Sequence, residues 1–151
     1  MVIKKPVPLY PVYNELKEIL ISDYPQLESH IKEMNSWQRE HYGWGKKFLK
    51  YIGRNKSEHT YTRFRNEIER FLLWALYIKD QPIDSFKKSD VLEYVDFCWK
   101  PPVSWIATHN NDRFIWENGF FKSNKSWRPF KLQAPKSQKD KEVQKKKYKK
   151  K

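Results

Sequence analysis

The sequence is poor in cysteine and glycine and has no long apolar run, and these scarcities exclude several classes of protein. Cys98 is the single cysteine, so no internal disulfide can form and nothing requires an oxidising compartment. The longest apolar run, residues 71–78, falls far short of the roughly 20 residues that cross a bilayer. Pro6, Pro8 and Pro11 interrupt the start before an apolar run develops, so we expect no signal peptide. These features predict a cytoplasmic protein without a membrane partner.

The residues of metal and cofactor chemistry are also scarce. The four histidines are scattered, and no second cysteine completes a zinc-ligand spacing. No carboxylate cluster and no phosphate-binding loop is visible, which disfavours a stand-alone nuclease or another enzyme. We therefore expect no metal, no cofactor and no small-molecule substrate.

Positive charge is what the sequence has in excess. The 151 residues carry a formal net charge of +13. Residues 131–151 hold ten lysines against Asp140 and Glu142, a net charge of +8, which leaves +5 for residues 1–130. Such a tail is typical of a disordered, solvated segment, and it adds non-specific affinity for phosphates by counterion release. The smaller excess on the body is consistent with a polyanionic partner.

Apolar residues at helical spacing predict a mainly α protein. The strongest helix follows Ser57, a natural N-cap, and continues to about Ile78, before Pro82 ends it. Its predicted inward face comprises Tyr61, Phe64, Ile68, Phe71, Leu72, Ala75 and Ile78. Weaker helices are predicted over residues 12–21, 26–37, 46–52 and 90–99. Their predicted buried residues include Phe48, Leu49, Ile52, Val91, Leu92, Val95 and Cys98.

The glycines of the sequence predict breaks between helices and one hairpin turn. Gly43 and Gly45 bracket Trp44 and predict a flexible joint, and residues 53–56 are predicted to form a turn. Asn118-Gly119 lies between two aromatic runs and predicts a β-hairpin near the C-terminal end. Around this hairpin we expect Trp105, Trp116 and Trp127 to pack rather than to stack on nucleotides. The expected fold is a bundle of four or five helices with one short hairpin.

The predicted organisation has three parts. Residues 1–44 form an N-terminal arm with short helices, and residues 45–130 form one domain that carries a hairpin insert at about 107–130. Residues 131–151 form the disordered Lys-rich tail.

Residues 46–105 resemble the core-binding, SAM-like domain at the front of tyrosine recombinases, the phage-integrase family. The family pattern on the long helix is matched by Thr60, Phe64, Ile68, Phe71 and Trp74, with Phe and Ile replacing the usual Tyr and Leu. A second family segment is matched by Pro82, Ile83, Phe86, Asp90, Val91 and Tyr94. Farther along, residues 97–106 and 113–115 are similar to one bacterial branch of the family, which also has the element matched by Asn124, Trp127, Arg128, Pro129 and Phe130.

The resemblance implies a bacterial DNA-binding module that associates with the nucleoid when bound. Its implied partner is double-stranded DNA, with other recombinase protomers as a second candidate. Family members cut DNA with a tyrosine nucleophile, assisted by arginines, a lysine and histidines of a second domain. Only 21 residues follow Phe130 in this sequence, with Tyr148 as their one tyrosine, and no arginine lies beyond Arg128. We therefore expect binding without catalysis.

The resemblance places the DNA-binding surface on two consecutive helices. The predicted contacts are Lys46, Lys47, Lys50, Arg54, Lys56, Thr60 and Arg63, with Lys87 and Lys88 as weaker candidates. The alternative interpretation of these residues is that they are ordinary solvated charges. Arg65 and Arg70 are instead candidates to pair with Glu69 and Glu67 along the helix. A competing function is a protein-interaction module whose aromatic surface docks a partner, the basic tail being incidental.

Overall fold

The computed structural model describes residues 4–11, 21–109 and 111–131. The helix predicted over residues 12–21 lies outside them, except for Ile21, which begins the 3-10 turn Ile21–Asp23. The predicted disordered tail also lies outside the described residues, except for Lys131.

The described residues form a mainly helical fold, as the sequence predicts. Its α-helices are α1 (Pro25–Glu33), α2 (Ser36–Asn55), α3 (Glu58–Trp74) and α4 (Lys88–Trp99). The short strands are β1 (Ile106–Ala107), β2 (Phe114–Glu117), β3 (Phe120–Ser123) and β4 (Phe130–Lys131). The predicted fold class, four or five helices with one antiparallel hairpin near the C-terminal end, is confirmed.

Helix α2 is one continuous helix of 20 residues. Its first turn is closed by a capping box, in which Asn35 and Gln38 each accept a hydrogen bond from the other's backbone N–H at 3.0 Å. The flexible joint predicted at residues 43–45 and the turn predicted at residues 53–56 are therefore wrong. The boundary predicted after residue 44 falls inside this helix. The helix predicted over residues 26–37 ends early, at Glu33.

Gly45 is needed for packing rather than for flexibility. A Cβ atom at this position would lie 2.8 Å from Cζ of Tyr10 and 3.0 Å from Cδ1 of Leu72. The missing side chain thus lets α2 lie directly against the N-terminal arm and α3. Around Gly43, by contrast, a Cβ would meet nothing within 4 Å.

Helix α3 begins as the sequence predicts. The hydroxyl of Ser57 accepts a hydrogen bond from the backbone N–H of Thr60 at 3.2 Å, which confirms Ser57 as the N-cap. Beyond Trp74 the chain continues as a wider π-helical turn, Ala75–Lys79, and it leaves the helix at Asp80, whose φ is 52°. The predicted helical extent to about Ile78 is confirmed.

The core joins the arm, α2, α3 and the segment after α4. Leu9 and Tyr10 of the arm are buried with Leu49 of α2 and Leu73 of α3. Trp105, Trp127 and Phe130 close the cluster from the C-terminal side. Packing of Trp105 and Trp127 is as predicted, whereas Trp116 is exposed.

The hairpin also forms where it is predicted. Strands β2 and β3 pair antiparallel, with Glu117 opposite Phe120. The two residues between them, Asn118 and Gly119, have φ angles of 54° and 85°. Positive φ at both positions is the geometry of the type I′ turn that Asn-Gly favours. Elsewhere, β1 pairs in parallel with β4.

Five residues predicted to be buried are exposed: Phe48, Phe64, Val91, Leu92 and Val95. On α3 the buried face is rotated toward Arg65 and Glu69, whose charges are held inside the protein. On α4 the contacts with the core come from Tyr94 and Phe97, which pack against Trp74. The other apolar face of α4 is therefore left at the surface.

Candidate nucleic-acid interface

One side of α2 is strongly basic. At about 100° of rotation per residue, five of its basic residues fall within an arc of roughly 100°. They are Arg39, Lys46, Lys47, Lys50 and Arg54, which we call the α2 cation stripe. Each of them is exposed or partly exposed, and the only carboxylate of α2, Glu40, borders the arc. Four of these five cations were predicted site residues; Arg39 was missed, although its spacing from Lys46 and Lys50 could have indicated it.

The opposite side of α2 fixes the direction in which the stripe points. His41, Leu49 and Ile52 are buried there. Nε2 of His41 accepts a hydrogen bond from the backbone N–H of Ile83 at 2.8 Å. Burial of the imidazole lowers the pKa of His41, so the neutral ring that can accept this bond is the favoured form. The stripe consequently faces away from the core.

Exposed aromatic side chains lie next to the stripe on α2 and on the neighbouring part of α3. They are Trp44, Phe48 and Tyr51 of α2 and Phe64 of α3, which we call the aromatic row. The rings of Phe48 and Phe64 meet edge to face, with their centroids 5.7 Å apart. Sequence reasoning missed the row, because aromatic residues at helical spacing are the usual signature of a core.

The predicted site residues that follow α2 in the chain do not belong to the α2 cation stripe. Lys56 is the C-cap, and its backbone N–H donates to the carbonyl of Ile52 at 2.9 Å, with its side chain exposed. The hydroxyl of Thr60 accepts from Ser57 at 3.1 Å, so it belongs to the cap of α3. Arg63 is exposed on the outer face of α3. By helical rotation, Thr60 and Arg63 lie on the side of Phe64 that faces away from the α3 core.

The two weaker candidates, Lys87 and Lys88, lie at the start of α4 and are exposed. Next to them Asp90 accepts from the backbone N–H of Lys87 at 2.8 Å and pairs with Lys79 at 2.8 Å. The hydrogen bond from Lys79 lowers the pKa of Asp90. The two lysines therefore flank a carboxylate on a different helix from the α2 cation stripe.

A buried ionic cluster lies on the core side of α3. Glu69 of α3 accepts from the backbone N–H groups of Leu9 and Tyr10, and it pairs with Arg113 at 2.9 Å. Arg65 donates to the carbonyl of Pro11 at 3.4 Å, and burial lowers its pKa to about 10. These groups connect the arm, α3 and the hairpin segment, and they act as structural ties.

Of the two pairings suggested along α3, that of Arg70 with Glu67 is present, at 3.3 Å. Glu69 instead directs its hydrogen bonds to the arm and to Arg113. Arg70 also stacks its guanidinium on the ring of Phe130, 4.8 Å from the centroid.

Within residues 4–11, 21–109 and 111–131, no three His, Cys, Asp or Glu side chains are grouped as a metal ion would need. In the same part of the chain, none of the helices has both the length and the apolar character that crossing a bilayer requires. Comparisons with protein-family models, with curated proteins and with solved structures found no match to this chain.

Proposed function

We propose that the chain binds duplex DNA through the α2 cation stripe and serves as the DNA-binding module of a site-specific tyrosine recombinase. The observation that carries the proposal is the stripe itself. Five cations on one side of one helix, whose own sequence contains a single carboxylate, form a surface that attracts phosphates.

The dimensions of α2 suit this partner. A helix of 20 residues is about 30 Å long, and the major groove of B-DNA is wide enough to admit an α-helix. Arg39 and Arg54 are separated by about 22 Å along the axis, so cations near both ends of the helix can reach separate phosphates. Arginine and lysine contacts to phosphates position a protein on the duplex, and they release counterions.

The recombinase assignment is supported by the ordered motifs of residues 46–130. The proposal assigns binding, and not strand cleavage, to the residues described. In the recombinase setting, other protomers are a second proposed partner, and the bacterial cytoplasm is the proposed compartment.

A titration of fluorescent duplex DNA at moderate salt tests the proposal. Changing Lys47, Lys50 and Arg63 together to Ala should abolish most duplex binding without unfolding the chain. The matched control changes Lys5, Lys100 and Lys125 to Ala, which removes the same charge from positions outside α2 and α3. Unaltered affinity in the first variant, or equal loss in both, would contradict the assignment to this surface.

The exposed apolar face of α4 favours a second candidate function, a protein-interaction module. Val91, Leu92, Val95 and Trp99 lie within roughly 100° of one another on this helix and are exposed. Deleting residues 132–151 separates the two functions. Lys131 is retained in this variant because it pairs with Ala107 in the fold. If the shortened chain loses all affinity for DNA, the body is not the DNA reader.

A further inference from the structure

The aromatic row gives the cationic surface a property that duplex binding does not use. On α2, aromatic and basic residues alternate at helical spacing in the order Trp44, Lys47, Tyr51, Arg54. Neighbours in this series are three or four residues apart, so each ring has a cation beside it along the same side of the helix. The series spans about 15 Å.

Packing leaves a large part of each of these four side chains exposed. Trp44, Phe48, Tyr51 and Phe64 are 46%, 41%, 57% and 40% exposed. Trp44 stacks on His41, with 4.2 Å between ring centroids, and this holds the indole in place while much of it stays at the surface. Isolated exposed aromatics are ordinary, but four exposed rings on neighbouring parts of α2 and α3, two of which are in contact, form a specific chemical surface beside the row of cations.

A shallow apolar groove continues this surface between α2 and α3. It has a volume of about 310 Å³ and is lined by Trp44 and Phe48 on one side and by Ile68 and Phe71 on the other. Glu67 also lines it, and this carboxylate is paired with Arg70 at 3.3 Å. The groove can cover the face of a flat, uncharged ring.

From this arrangement we infer that the aromatic row binds unpaired nucleotides, so the chain holds single-stranded DNA as well as duplex. A single strand presents both chemistries that the surface offers to bind. Its phosphates complement Lys47 and Arg54, and its unstacked bases present π faces to the aromatic rings. In a duplex the bases are stacked on one another, so their π faces are not available to the aromatic side chains.

The inference rests on the proposed function in one respect, since the same cations hold the phosphates in both complexes. The length of the series matches a short strand. About 15 Å corresponds to roughly four stacked nucleotides at 3.4 Å each. Because every base has a π face, the contact should tolerate any sequence.

The test compares a labelled dT12 strand with the same strand paired to dA12, by fluorescence anisotropy on the full chain. Tyr51→Ala should weaken binding of the single strand by about tenfold and change duplex affinity by less than about twofold. Tyr51→Phe keeps the ring and should bind the single strand nearly as tightly as the natural chain. The matched control is Trp99→Ala, since Trp99 is 55% exposed on α4, away from the row, and it should bind both probes normally.

The remaining outcomes separate this inference from the proposed function. Binding of duplex without binding of dT12, or an equal effect of Tyr51→Ala on both probes, overturns the inference and leaves the proposed function standing. Ring-dependent binding of dT12 without any binding of duplex supports the assignment of unpaired nucleotides to the aromatic row and overturns the proposed function. Equal losses in Tyr51→Ala and Trp99→Ala also overturn the inference, because a general loss of aromatic surface would then explain them.

Discussion

Arg113 and Glu69, 44 residues apart in the chain, form an ion pair with 2.9 Å between Nη2 and Oε1. Glu69 is almost completely buried, and its other oxygen accepts hydrogen bonds from the backbone of Leu9 and Tyr10. One carboxylate therefore holds the arm, α3 and the hairpin segment together. The buried face of α3 therefore includes Arg65 and Glu69, and Phe64 of the same helix is left at the surface.

Removing this carboxylate should destabilise the fold strongly. Glu69→Ala removes the carboxylate from the largely buried guanidinium of Arg113, which keeps its hydrogen bond to Asn66, and leaves two backbone N–H groups without their acceptor. We expect a loss of about 3–5 kcal/mol in the free energy of unfolding. Urea unfolding followed by circular dichroism measures it. The control is Glu67→Ala, which removes a more exposed ion pair with Arg70 and should cost less than about 1 kcal/mol. Similar small losses in the two variants would show that the buried pair is not a structural tie.

The two glycines of α2 should respond to alanine in opposite directions. Gly43→Ala adds a methyl group in open space within a helix and should stabilise the protein by about 0.5–1 kcal/mol. Gly45→Ala drives a methyl group against Tyr10 and Leu72 and should destabilise it by about 1–3 kcal/mol. Thermal or urea unfolding of both variants measures the difference. Effects of the same sign and size would contradict a continuous α2 packed closely at Gly45.

The buried imidazole of His41 should make stability depend on pH. Its pKa is lowered in the folded protein, chiefly by burial, so the unfolded chain binds the proton more tightly. The stabilisation is therefore complete above a pH of about 6.5 and is lost as the pH falls toward the lower, folded pKa.

The measurement is the urea midpoint at several pH values between 8 and 5, for the natural chain and for His41→Gln. Glutamine can still accept the N–H of Ile83 but does not titrate, so the variant should lose less stability over this range. The same measurement is made on His30→Gln, because burial also lowers the pKa of His30 and this residue should contribute to the pH dependence in the same direction. If His41→Gln has the same pH dependence as the natural chain, His41 is not a source of it.

The parts of the fold that the sequence predicts correctly are those set by neighbouring residues. Ser57 caps α3 through a hydrogen bond three residues away, and Asn118-Gly119 forms a turn between adjacent strands. The continuity of α2 is different. By sequence alone Gly45 indicates a break in the helix. Its close approach to Tyr10, 35 positions earlier, explains why a glycine is present inside a continuous helix.

The candidate site also has a part that neighbouring residues determine and a part that distant contacts determine. The common direction of Lys46 and Lys50 follows from helical periodicity, and the sequence predicts it. Arg54, which the sequence places in a turn, joins them because α2 continues to Asn55. The exposure of Phe48 and Phe64 does not follow from periodicity, because the same spacing describes a buried face. On α3, the buried side is the one that carries Glu69, which pairs with the distant residue Arg113.

The salt dependence of duplex binding tests the central claim most directly. The logarithm of the association constant should fall linearly with the logarithm of salt concentration, with a slope of about −0.9 per phosphate contacted. Lys47→Ala combined with Arg54→Ala should make the slope shallower by about 2, whereas Lys5→Ala combined with Lys125→Ala, an equal change in charge, should leave it unchanged. If both double variants keep the slope of the natural chain, or change it equally, the α2 cation stripe is not the surface that holds DNA.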